Sequence, residues 1–113
     1  MHKAKQDKIE QKIDTIFKEL GLSKVRSGYY LWIDFIIYIY HSIHNADLKN
    51  LATIPMIELC REFCKDTDYS YIQLERNLRT LIQDKKEEIQ NYFGYHNKIN
   101  NKTFLILMLE EIQ

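Results

Sequence analysis

Hydrophobic residues recur along this chain at steps of three and four positions, the spacing that puts side chains on one face of an α-helix. The first such run predicts a helix over residues 5–20, with Gly21 as its C-terminal stop. Its inward stripe is Ile9, Ile13, Ile16, Phe17 and Leu20. A second helix is predicted over residues 27–45, and its scarcity of polar positions predicts a central helix buried on most sides. Its predicted inward positions are Tyr30, Ile33, Phe35, Ile36, Ile37, Ile39, Tyr40 and Ile43.

Two further helices are predicted in the middle of the chain. The third starts near Thr53 and holds Pro55 in its first turn, where a proline is tolerated. Its inner stripe is Met56, Leu59, Cys60 and Phe63. A polar break at residues 65–68 precedes the fourth helix, which Ser70 caps, with Gln73 at the reciprocal capping-box position. The core face of this fourth helix is Tyr71, Leu74, Leu78, Leu81 and Ile82.

The last third of the chain predicts two more helices. A short fifth helix over residues 86–93 buries Ile89, Tyr92 and Phe93 and ends at Gly94. The final helix packs through Phe104, Leu105, Met108, Leu109 and Ile112. With only three Gly and one Pro in 113 residues, the chain lacks the turn residues that a sheet protein needs. We therefore predict one all-α domain over residues 1–113, a compact bundle of about six helices.

Charge and hydropathy narrow the classes of function. Sixteen basic and sixteen acidic residues give a net charge of zero, so the basic excess typical of nucleic-acid binding is missing and only local patches could bind DNA. One such region, residues 89–109, has no acidic residue but contains His96, Lys98 and Lys102. The most apolar stretch, residues 29–40, is too short to cross a membrane, and the charged N-terminus does not resemble a secretory signal. We expect a soluble, cytoplasmic protein without membrane contacts.

The third and fourth helices have the layout of a helix-turn-helix, in which the outer face of the second helix enters the major groove of DNA. Gln and Asn pair bidentately with adenine, Arg pairs with guanine, and Glu accepts from cytosine. The predicted base-contacting residues are Gln73, Glu75, Arg76, Asn77, Arg79 and Thr80. The predicted phosphate contacts are Ser70, Lys98 and Lys102. The plainer alternative is an ordinary solvent-facing helix, on which Glu75 and Arg79 form a surface ion pair.

Other site chemistry is not indicated. Cys60, Cys64, His41 and His44 could in principle hold zinc, but Cys60 belongs to the core stripe and free cysteines are commonly small core residues. The chain has no glycine-rich phosphate loop, and its acidic residues fall on solvent-facing positions. We expect no enzymatic activity, no catalytic residue, no metal and no cofactor.

Five short segments suggest a family. They are Ile-Phe-Lys-Glu-Leu-Gly at residues 16–21, Gly-Tyr-Tyr-Leu at 28–31, Glu-Arg followed by Leu-Arg within 75–79, Tyr-Phe-Gly-Tyr at 92–95, and Asn-Lys-Thr-Phe at 101–104. In this order they resemble the C-terminal DNA-binding domain of the stage-zero sporulation master regulator, a response regulator of endospore-forming bacteria, over about residues 12–112. The resemblance implies a six-helix transcription-regulating effector domain whose fourth helix reads the major groove, with two copies in tandem on DNA.

The resemblance also has departures that affect its implied site. By position, Glu75, Arg76 and Arg79 match residues of the family's recognition helix that face DNA, whereas Gln73 and Thr80 stand where the family has basic or imidazole side chains. The turn before this helix is longer than the family's, and the family's receiver domain has no counterpart in this chain. The leading hypothesis is sequence-specific binding of double-stranded DNA. The alternative is a protein-interaction module that kept the fold and docks through its Tyr-rich second helix or its acidic middle.

Overall fold

The computed structural model describes residues 3–22, 27–42 and 48–113, which form seven α-helices and no β-strand. The all-α prediction is therefore confirmed for the described residues. The helices are α1 (Lys3–Glu19), α2 (Ser27–Ser42), α3 (Leu48–Thr53), α4 (Met56–Cys64), α5 (Tyr71–Asp84), α6 (Lys86–Phe93) and α7 (Asn101–Ile112). None of these described helices is long and apolar enough to cross a bilayer.

The main departure from the predicted helices lies around Pro55. The predicted start of a helix near Thr53 is wrong, because Thr53 is instead the last residue of the short helix α3. Pro55 then stands before α4 in an extended conformation, with ψ of 141°. Proline restricts the residue before it to extended geometry, so Ile54 and Pro55 separate α3 from α4 rather than joining one helix. The predicted end of the second helix, with Ile43 and Asn45, lies outside the described residues.

The core forms where α2 lies against α1, α5 and α7. Trp32, Phe35 and Ile36 of α2 have no exposed surface, as expected for a central helix. The prediction that Tyr30 is buried is wrong, since 55% of this residue is exposed. Tyr30 lies one turn before the exposed Asp34, so α2 does have a narrow outward face on this side. Five other residues that were predicted to lie in the core are only half-buried and pack against its edge. They are Tyr40, Met56, Tyr71, Tyr92 and Phe93.

The predicted helix ends at glycines are confirmed. Gly94 follows α6 with φ of 63°, and Gly21 follows α1 with φ of 78°. Glycine enters this left-handed region without the steric penalty that a Cβ atom brings, so both positions end a helix cleanly. Asn100 caps α7 by accepting a hydrogen bond of 2.8 Å from the Thr103 main-chain N–H.

A third glycine brings α2 close to α5. A Cβ atom added at Gly28 would lie 3.1 Å from the main-chain oxygen of Asn77 and 3.2 Å from Cδ1 of Leu81. The missing side chain therefore allows the start of α2 to lie directly against the middle of α5. This contact gives a packing reason for Gly28 within the Gly-Tyr-Tyr-Leu segment.

Candidate nucleic-acid interface

Helices α4 and α5 lie against each other across the turn at residues 65–70. The face of α4 turned to the core carries Leu59, Cys60 and Phe63, which are all buried. On the other side, the Arg61 guanidinium lies 4.8 Å from the centre of the Tyr71 ring, a cation–π contact between the two helices. The structure thus shows α4 and α5 in contact, while their role as a helix-turn-helix stays a prediction.

The start of α5 is fixed by the predicted cap. The hydroxyl oxygen of Ser70 accepts a hydrogen bond of 3.1 Å from the main-chain N–H of Gln73. This bond satisfies one of the N–H groups that a helix leaves unpaired at its first turn. Ser70 is itself exposed beside the first turn of α5.

The buried and exposed residues of α5 separate cleanly. Leu74, Leu78, Leu81 and Ile82 are buried, as predicted. The face opposite to them, which we call the outer face, consists of the exposed residues Ile72, Gln73, Arg76, Arg79, Thr80, Gln83 and Asp84. Four of the six predicted base-contacting residues therefore lie on the outer face, while Glu75 and Asn77 are half-buried beside it.

The two arginines of the outer face differ in their partners. Arg79 is ion-paired with Glu75 one turn earlier, the surface pair that the sequence pattern offered as the plainer interpretation. Among the described residues, Arg76 has no acidic partner within ion-pair distance. The Thr80 hydroxyl donates a hydrogen bond of 2.9 Å to the main-chain oxygen of Arg76, so this contact involves the backbone of Arg76 and not its guanidinium. Arg76 is therefore the guanidinium of this helix that is ready to meet a ligand.

A cleft of about 520 Å³ lies along one side of α5, between that helix and the segment leading into α7. It brings the predicted phosphate contacts Lys98 and Lys102 to the same place as Arg79. Ser70 lies before the first turn of α5, about 14 Å from Arg79 along the helix axis at the rise of 1.5 Å per residue. The lining residues are Met56, Glu75, Arg79, Ile82, Gln83, Lys98, Ile99, Asn100, Asn101 and Lys102.

The two lysines of this cleft are not equivalent. The Lys102 ammonium donates to the main-chain oxygen of Ala52 at 3.0 Å and also to that of Ile54. It thereby satisfies carbonyl groups at the end of α3, where a cation is favourable. Partial burial lowers the pKa of Lys102 from its ordinary value. Lys98 is exposed instead, so it is the lysine of the cleft that solvent reaches more freely.

Asn101 joins α7 to α5 from within the fold. The residue is 8% exposed, and its amide nitrogen donates a hydrogen bond of 3.3 Å to the main-chain oxygen of Glu75. Its amide oxygen is buried without a partner in the described part of the chain. Asn101 therefore acts as a structural anchor beside the cleft, and the sequence pattern had singled it out only within the Asn-Lys-Thr-Phe segment.

Three outer-face residues, Ile72, Gln83 and Asp84, were missed by the sequence analysis. Ile72 lies four positions before Arg76, and Gln83 lies seven positions after it, so helical spacing alone places both on the same side as Arg76. Ile72 was overlooked because an isoleucine in a helix suggests the core, and Gln83 because it lies near the end of the helix.

No metal site is visible in the described ranges, where three or more His, Cys, Asp or Glu side chains never come together. Cys60 and Cys64 are free thiols, and burial raises the pKa of Cys60 to about 12, which disfavours the thiolate that binds metals. His44, the fourth ligand considered from the sequence, lies outside the described residues.

Comparisons of this chain with protein-family models, with curated proteins and with solved structures give no match. The likeness to the sporulation regulator therefore depends only on the five segments quoted from the sequence.

Proposed function

We propose that this protein binds double-stranded DNA by placing the outer face of α5 in the major groove. The observation that carries the proposal is the exposed guanidinium of Arg76, which lacks an acidic partner among the described residues and lies between the exposed side chains of Gln73 and Thr80. Arginine is the residue that pairs most often with guanine in this groove, and a glutamine beside it suits adenine. The groove is about 12 Å wide, enough to admit one α-helix.

The proposed contacts to the DNA backbone lie at both ends of α5. Ser70 would donate to a phosphate at the first turn, and Lys98 would approach a second phosphate from the cleft. Arg79 adds a positive charge to this face, although its ion pair with Glu75 partly neutralises that charge. Asn77 and Glu75 contribute at the edge of the face because they are half-buried. Lys102 is assigned to the fold rather than to DNA, because its ammonium already holds two main-chain oxygens.

The biological role that we propose is transcription regulation of the sporulation-regulator type. The order of the five sequence segments supports this role, and it further suggests two copies in tandem on DNA. Proteins of this kind work in the cytoplasm, which we propose as the location.

The proposal is tested by measuring duplex binding of the wild type and of Arg76→Ala at several salt concentrations. Arg76→Ala should weaken specific binding by about 1–3 kcal/mol and relax the sequence preference at one position. Lys12→Ala is the matched control, because it removes one exposed positive charge from a different helix, α1. Equal affinities of the wild type and Arg76→Ala for a selected duplex would exclude α5 as the reading helix.

A second candidate function is a protein-interaction module that does not bind DNA. It is favoured by the charge of residues 56–84, the proposed helix-turn-helix, which contains six acidic and four basic side chains. Such a surface repels phosphates and suits a partner protein with a basic patch. Capture of a defined protein partner, together with no duplex binding at low salt, would favour this candidate over DNA binding.

A further inference from the structure

Ile72 is the most exposed large hydrophobic residue in the described part of the chain. Its exposed fraction is 57%, compared with 55% for Tyr30 of α2, 41% for Tyr69 just before α5 and 39% for Ile57 of α4. It occupies the first turn of α5, two positions after the capping residue Ser70. Single exposed hydrophobic residues are common on protein surfaces, so exposure alone assigns no role. Ile72 also lies on the proposed recognition helix, and this position is the second reason to assign it a role in binding.

The neighbours of Ile72 on the outer face are polar and suited to base edges. Gln73 follows it directly, and Arg76 lies one helical turn further along the same face, about 5–6 Å away between Cβ atoms. In helix-turn-helix proteins the N-terminal residues of the recognition helix approach the bases most closely. Base pairs are about 3.4 Å apart along the duplex, so Ile72 would meet a base one or two steps from the one that Arg76 reads.

Only one base presents an apolar group in the major groove, namely thymine with its C5-methyl group. The geometry points to Ile72 as a specificity-determining residue that packs against a thymine methyl one or two base pairs from the guanine contacted by Arg76. This inference depends on the proposed DNA-binding function and deepens it, because it names an element of the target sequence. The contact excludes water from two apolar surfaces and forms no hydrogen bond.

The test uses a duplex selected from a random-sequence pool by the wild-type protein. That duplex is synthesised again with deoxyuridine replacing thymidine at one position at a time, which removes only the methyl group. At one position the substitution should weaken wild-type binding about fourfold, the value expected for one buried methyl-sized group. Ile72→Ala should bind the thymidine and deoxyuridine forms of that duplex equally, because the partner of the methyl group is gone.

Ile57→Ala is the matched control, since it shortens another exposed isoleucine on α4. This variant should keep the fourfold preference for thymidine. The inference is overturned if the wild type binds all deoxyuridine duplexes as tightly as the original, or if Ile72→Ala keeps the preference. In either case, binding that still depends on Arg76 would leave the proposed function standing. Selection of no duplex at all would overturn both the inference and the proposed function.

Discussion

The indole N–H of Trp32 donates a hydrogen bond of 3.1 Å to the main-chain oxygen of Leu78, in the middle of α5. Trp32 has no exposed surface, and its ring also contacts Phe104 of α7 edge-on, with 4.9 Å between the ring centres. The central helix therefore fixes the rotation of α5 as well as its position. Because Leu78 is held inward, Arg76 and Thr80 are directed outward. The outer face depends on this buried contact.

The close approach of α2 to α5 predicts the effect of Gly28→Ala. The new Cβ atom would lie 3.1 Å from the main-chain oxygen of Asn77, which cannot move aside as a side-chain end can. We expect the free energy of unfolding to fall by about 1–3 kcal/mol, as for other overpacked cores, although alanine favours helices. Urea unfolding of the two proteins measures this difference. Equal or higher stability of the alanine variant would show that α2 and α5 are not in direct contact here.

The two lysines of the cleft predict opposite effects of the same substitution. Lys102→Met should lower the free energy of unfolding by about 1–2 kcal/mol, because two main-chain oxygens lose their donor. It should leave the salt dependence of duplex binding unchanged. Lys98→Met should leave stability unchanged and reduce the slope of log affinity against log salt by about 1, since one phosphate contact is lost.

Denaturant unfolding and salt titrations of both lysine variants decide between these roles. If Lys102→Met reduces the salt dependence while Lys98→Met does not, the assignment of the two lysines is reversed.

Substitutions of the capping residue Ser70 distinguish its effect on helix stability from its effect on DNA binding. Ser70→Ala should lower the free energy of unfolding by about 1 kcal/mol, because the Gln73 N–H loses its acceptor. Ser70→Asp keeps a capping oxygen and should retain stability near that of the wild type. The same variant should bind duplex DNA more weakly than the wild type, because a carboxylate would then face a phosphate. Unfolding curves and binding titrations test both halves, and unchanged affinity of Ser70→Asp would remove Ser70 from the interface.

The buried thiol of Cys60 predicts a pH effect on stability. Burial, the largest cause, together with the nearby Cys64 and Glu75, raises its pKa from the ordinary value of 9.0 to about 12. The native state therefore keeps a proton that the unfolded chain releases above pH 9, so this residue's contribution to stability falls as the pH rises from 9 towards 12. Stability measured over that range should decline less steeply in Cys60→Ala than in the wild type. Equal slopes would contradict the raised pKa.

The sequence predicted most of the fold because helices such as α1, α5 and α7 have buried stripes with strict helical spacing. Ile13, Phe17, Leu74, Leu78 and Leu109 are all buried as that spacing requires. Helix α3 was missed because six residues are less than two turns and show no recurring stripe. Tyr30 was placed inside because hydrophobicity alone does not distinguish the narrow outward face of a mostly buried helix.

The candidate site was predictable only in part. The Ser70 cap and the pairing of Glu75 with Arg79 are local contacts, set by residues three or four positions apart, and the sequence predicted both. The binding of Lys102 to Ala52 and Ile54 joins residues about fifty positions apart, so local spacing gives no signal of it. The same is true of the bond from Asn101 to Glu75.

The central claim is that the outer face of α5 enters the DNA groove, and an NMR titration tests it most directly. Uniformly ¹⁵N-labelled protein is titrated with a duplex selected from a random pool, and backbone amide shifts are followed residue by residue. The account predicts that the largest shifts fall on Gln73, Arg76 and Thr80, with smaller ones at Ser70 and Lys98. Largest shifts on α1 or on the exposed side of α2, or no shifts at low salt, would contradict it.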